Sequence, residues 1–312
     1  DYHEIAHTGQ EKSGIIFGNP RDKNGDPVMA SSTDKFLSSM EDYTSLLRSK
    51  TDPYKLYAVT HLEDMPGGMQ VTELTQDAAG VLTPGSFHNV DFTADNGIIA
   101  PCAGSTSTWN THLGGEEWGV PDGRSWADTG IGNYGRSLRY HGLAGPDGTL
   151  LQSDDDTKKS WSPYMHRYVN EVSIDDSGVS PVITAVKHYS MGRYSIELPF
   201  CGIAASPQVC YITDDASNGV PCAYIPDVPN SLAAGELRCA KITMTSTPNE
   251  DAGEYSVEWI SLGHATDSEI KATVLSKPDG SHYFGFYDMF ETGTFDASAA
   301  SGSYCPSGFT AV

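Results

Sequence analysis

Pro101-Cys-Ala-Gly-Ser-Thr-Ser-Thr-Trp-Asn-Thr-His-Leu-Gly-Gly-Glu-Glu-Trp118 is the stretch around which the rest of the chain is organised. It holds a thiol (Cys102), an imidazole (His112), an amide (Asn110), a run of hydroxyls and two adjacent carboxylates (Glu116, Glu117), with very few aliphatic side chains. A segment this polar is not built mainly to fill a core. Pro101, Gly104, Gly114 and Gly115 read as interruptions of any regular element there. The residue types fit a surface loop with a capping carboxylate. They also fit a lining of soft and hard ligands, thiolate plus carboxylates, around a metal.

Upstream, residues 1–50 read as a lead-in segment with one helix. Its predicted span is 33–48, capped by Ser32 or Thr33, with Phe36, Leu37, Met40, Tyr43, Leu46 and Leu47 at helical spacing. Asp22-Lys-Asn-Gly-Asp26 alternates oxygen ligands as a calcium loop does but lacks the distal acid, which favours an ordinary Asn-Gly turn. From residue 51 to 312 the pattern is one of strands. Runs such as Lys55–Thr60, Gln70–Leu74, Ser137–His141, Tyr168–Ile174, Val182–Tyr189, Leu237–Met244, Tyr255–Ser261 and Tyr283–Tyr287 are separated by tight turns, two of them Pro-Asp-Gly. That spacing predicts an all-β sandwich, barrel or propeller. No crisp internal repeat selects among them.

Composition narrows the function. With 41 acidic against 19 basic residues, the formal net charge is -22. Phosphate backbones recruit Lys and Arg, so a nucleic-acid partner is excluded. The acidic surplus suits a collector of divalent cations or a protein of salty surroundings. No apolar run approaches the roughly 18 to 20 residues of a bilayer-spanning helix, so no membrane span is expected. The chain starts at Asp1 without a leader, which reads as a mature product whose targeting segment has been removed. Cys201/Cys210 and Cys222/Cys239 are spaced for disulfides between neighbouring strands, as in a secreted protein.

Outside the central stretch, Glu197 lies in a strand expected to bury its apolar face, either as a ligand or facing solvent beside Arg193. Asp214-Asp215 ends another strand, and either caps a turn or adds ligands where strand ends converge on one rim. His112 fits a ligand, a general acid or a satisfied core residue. Gly-x-Ser-x-Gly, a phosphate-cradling Gly-rich loop and His-Glu-x-x-His are all absent from the sequence. Cys102 as a covalent nucleophile with His112 as base is a further reading, ranked below a metal centre.

Taken in series, Pro101–Glu117, Lys187-His-Tyr-Ser-Met-Gly-Arg-Tyr-Ser-Ile-Glu197, Val209-Cys-Tyr-Ile-Thr-Asp-Asp215 and Ala233-Ala-Gly-Glu-Leu-Arg-Cys-Ala-Lys241 resemble the PhoX-type alkaline phosphatases, secreted metallophosphatases. The resemblance implies a six-bladed β-propeller, about four blades of it represented here, whose axial iron and calcium ions hydrolyse phosphate esters. By that resemblance Cys102 looks like a thiolate ligand to iron. Glu117, Glu197 and Asp215 look like carboxylate ligands, with Glu116, His112, Asp214 and Asn110 as additional candidates. The expected partner is a phosphate ester or phosphate, and the expected location extracellular or periplasmic.

Two departures qualify that expectation. Ile196 stands where the family usually places a His. The region of Cys305-Pro-Ser-Gly308 is not followed by the family's Arg and carboxylate segment. The chain is therefore expected to be a fragment or a processed chain, or to need a second chain or copy to complete the ring. The alternative reading is a non-catalytic, calcium-stabilised propeller with a structural or adhesive role in a matrix or filament.

Overall fold

The computed structural model describes residues 3–202, 208–217, 219–246 and 253–289. After a small hairpin, β1 (Glu11–Lys12) and β2 (Ile15–Ile16), the strands form three antiparallel sheets. The first holds β3 (Glu41–Arg48), β4 (Lys55–Leu62), β5 (Gly68–Gln76) and β6 (Leu82–Asn89). The second holds β7 (Pro101–Thr106), β8 (His112–Glu116), β9 (Val169–Asp175) and β10 (Val182–His188). The third holds β11 (Ile196–Cys201), β12 (Cys210–Asp214), β13 (Cys222–Val228), β14 (Ser231–Met244) and β15 (Tyr255–Thr266). Within each sheet, neighbours in sequence pair in space, the meander of a propeller blade. The first strands, β3, β7 and β11, lie beside one another from sheet to sheet.

Apolar faces close the gaps between blades. Leu47, Tyr57, Val59, Met69 and Val71 of the first sheet share a core with Val172 and Ile174 of the second. Leu113 and Val169 of the second pack with Ile196, Ile212 and Tyr224 of the third. Cys201–Cys210 and Cys222–Cys239 form disulfides between register partners on adjacent strands, the pairs that the spacing suggested. Cys305 and the segment after it lie outside the described residues.

Several local expectations are corrected. Residues 33–48 are not a helix: residues 41–48 are β3, and Lys35 makes an isolated bridge to Met29. Three members of the supposed apolar stripe, Leu37, Met40 and Leu46, are exposed, whereas Ser45 and Leu47 alternate inward against β4. The sheets thus begin at Glu41 instead of after residue 50.

Among the described residues, three blade-sized sheets stand where about four blades were expected. The difference lies in residues 118–168, where Ser137–His141 was read as a strand. That segment instead holds α1 (Gly123–Thr129), a 3-10 helix (Gly132–Arg139) and α2 (Asp154–Ser160), built on Trp126, Leu138, Trp161 and Met165. Past β15 come α3 (Asp267–Val274) and α4 (Phe286–Met289), the latter overlapping the strand expected at Tyr283–Tyr287.

Candidate metal centre

The pairing register sets the three blades on one pattern. Glu41 faces Leu62, Pro101 faces Glu116 and Ile196 faces Asp214, and each first strand shifts register immediately afterwards. One residue further along each strand stand Asp42 and Glu63, Cys102 and Glu117, and Glu197 and Asp215. Six equivalent positions, two per blade, therefore carry five carboxylates and one thiol.

These side chains converge. The Cys102 thiol donates to Asp42 Oδ2 at 3.1 Å and to Glu197 Oε1 at 3.5 Å. Ligand atoms of Asp42, Glu63 and Cys102 lie within 4.8 Å of one another, as do those of Cys102, Glu117 and Glu197. Asp215 sits close enough to the Glu117 carboxyl to help raise it. Trp118 Nε1 donates to Glu63 Oε1 at 2.5 Å and fixes that carboxylate. Among the described residues, none of the five carboxylates takes part in an ion pair with Lys, Arg or His.

Titration behaviour reflects that crowding. Burial, reinforced by the charges of Glu197 and Glu63, pushes Glu117 up to about 7 despite its hydrogen bond with Cys102. Burial and the charges of Asp42 and Glu197 also raise Glu63. Burial followed by the Asp42 contact holds the Cys102 thiol well above the usual thiol range. Glu117, Glu63 and the Cys102 thiol thus hold their protons more tightly than usual. A thiolate with carboxylates suits iron, and the oxygen-only positions suit calcium. The residues present therefore fit the metals that the family resemblance implies.

The glycines expected to interrupt the central stretch lie within strands. A side chain on Gly114 would meet His61 Nε2 at 2.5 Å, and one on Gly115 would meet the Ile196 carbonyl oxygen at 2.4 Å. Small residues on β8 thus let the first and third sheets approach Cys102.

Other candidates sit elsewhere. Glu116 is fully buried, pairing with Lys187 Nζ at 3.1 Å and His166 Nδ1 at 3.1 Å and accepting the Ile99 and Tyr168 N–H groups. Asp214 Oδ1 accepts the Ala216 N–H, a turn cap. Asn110 is bound to the Arg48 backbone. His112 is buried between Ser45 and His61, and no hydrogen bond links it to the Cys102 sulfur, the link a thiol–imidazole hydrolase needs. Arg193 does not pair with Glu197; it donates to the His166 and Pro163 carbonyls.

Asp42 and Glu63 escaped sequence reasoning. The signal was an acidic or thiol residue at the corner of each blade, at separations of 60 and 95 residues from Cys102. The helical insertion between β8 and β9 hides that recurrence.

Residues 66–296 match the family model described as alkaline phosphatase PhoX. Among solved structures, Pseudomonas fluorescens PhoX in complex with vanadate, a transition state analogue, is similar, with a TM-score of 0.51 and 17% identity. The alignment covers 79% of this chain and 54% of that one, so the chain spans about half the length of its solved relative. At that identity the likeness shows the fold, a β-propeller. No curated protein matches.

Proposed function

From the chain's membership of the PhoX alkaline phosphatase family, we propose that it is a metal-dependent phosphomonoesterase working at the Cys102 cluster. One observation carries this: three blades deliver five carboxylates and a thiol to one place from equivalent positions, with no ion-pairing partner among the described residues. Cys102, Glu117 and Glu197 would hold iron, and Asp42, Glu63 and Asp215 would add oxygen ligands for iron and calcium. Such ions polarise phosphoryl oxygens and neutralise the charge that develops in transfer.

The protein's own part is positional. Strand pairing fixes the ligand residues, and Trp118 orients Glu63. A phosphate dianion is repelled by the bare carboxylates, so substrate binding depends on cation loading. The disulfides support secretion or a periplasmic location. Purified protein should release phosphate from p-nitrophenyl phosphate, lose that activity to a chelator and regain it with iron and calcium. Cys102→Ser and Glu117→Gln should abolish it. Full activity after exhaustive chelation contradicts the proposal.

The second reading, a calcium-stabilised propeller without catalysis, is favoured by Ile196, fully buried where the family usually places a His. It expects calcium-dependent stability and no ester hydrolysis.

A further inference from the structure

Behind the acidic cluster runs a chain of buried polar groups that no ligand role explains. His61 Nδ1 contacts the Cys102 carbonyl oxygen, His61 Nε2 lies 2.6 Å from His112 Nε2, and His112 Nδ1 lies 2.8 Å from Ser45 Oγ. His61 and His112 are wholly closed to solvent and Ser45 is 2% exposed. The proton positions follow from the ends. A carbonyl only accepts, so His61 carries its proton on Nδ1 and its Nε2 accepts from His112 Nε2–H. His112 Nδ1 then accepts the Ser45 hydroxyl. In the neutral state each imidazole is thus held in a single tautomer.

The four groups sit on four strands. Ser45 is on β3, three residues past Asp42; His61 is on β4, two before Glu63; Cys102 is on β7; and His112 is on β8, which leads to Glu117. We infer that His61 and His112 are positioning residues, a dry hydrogen-bond relay that locks the four strands bearing Asp42, Glu63, Cys102 and Glu117 into metal-binding register. Supporting groups behind ligands typically govern affinity by about 10- to 100-fold.

The inference rests on the metal-centre reading, and the test separates the two. Cobalt(II) titration of purified wild-type protein should produce thiolate-to-metal charge-transfer absorption that Cys102→Ser removes. His61→Ala should weaken cobalt binding about 10- to 100-fold. His61→Asn, whose amide can still donate to the Cys102 carbonyl, should recover much of it. Val59→Ala, which opens the adjacent core on the same strand, should lower the thermal midpoint while leaving cobalt affinity within about threefold. If wild type shows no thiolate band, the metal reading fails and this inference falls with it. If wild type binds cobalt and His61→Ala matches it, or if Val59→Ala weakens binding as much as His61→Ala does, the positioning role alone is overturned.

Discussion

The Cys102 sulfur lies 3.5 Å from a Glu197 carboxylate oxygen, across the boundary between the second and third sheets. Neither sheet holds the cluster alone, since Asp42 reaches the same sulfur from the first. Glu197→Gln should therefore weaken cation binding by at least about tenfold with little loss of fold, because Glu197 is only half-buried and takes part in no ion pair. Cobalt(II) titration checks this, and unchanged affinity would contradict it.

Burial of Glu117, reinforced by its carboxylate neighbours, predicts a pH dependence. The Glu117 carboxyl sits at about 7 when folded, above its ordinary value of 4.5. The folded state thus binds more protons than the unfolded chain between those values, and stability falls as pH rises through that window. Chelator-treated protein should show a declining thermal midpoint from about pH 5 to 7, restored by calcium. Glu117→Gln should flatten the decline; an equal slope in the variant contradicts the assignment.

A second window belongs to His188. It is held between Asp267 Oδ2 at 2.8 Å and Glu171 Oε2 at 3.0 Å, joining α3 to β9. Burial opposes its charge, but Asp267 and Glu171 outweigh it and lift the imidazole to about 9. A raised histidine contributes stability in full below its ordinary value of 6.5, and that contribution is lost as pH climbs through 9. Protection factors of the α3 amides, with the base-catalysed intrinsic rate divided out, should fall over that range. In His188→Asn they should be low throughout and unchanged with pH; a wild-type fall retained in the variant would contradict the assignment.

Glu116 yields a stability prediction instead of a catalytic one. Lys187 Nζ, fully buried, meets its carboxylate and the Gly97 and Met165 carbonyls. Lys187→Met strands a buried carboxylate and should cost about 3–5 kcal/mol. Lys187→Met with Glu116→Gln should recover part of it. Urea unfolding reads both, and a loss below about 1 kcal/mol for the single variant contradicts the buried pair.

How much of this the sequence disclosed depends on the element. Strands such as Lys55–Leu62 and Val182–His188 were legible, the first as a short apolar and β-branched run that is buried on both faces, the second from its alternation. Residues 41–48 misled because exposed Leu46 happened to complete a helical stripe, while pairing with β4 decided the outcome. Cys102, Glu117, Glu197 and Asp215 were legible as a family pattern. Asp42 and Glu63 were not, since only strand register shows them to be equivalents of Cys102 and Glu117 in the first blade. Glu116 and Glu117 are adjacent and chemically alike, yet strand alternation sends one to Lys187 and the other to the cluster.

X-ray absorption at the iron edge of purified protein tests the centre most directly. The account predicts bound iron with a sulfur neighbour that disappears in Cys102→Ser, and oxygen neighbours from the surrounding carboxylates. Iron-free protein, or an iron shell of oxygen alone that is unchanged in Cys102→Ser, would contradict it.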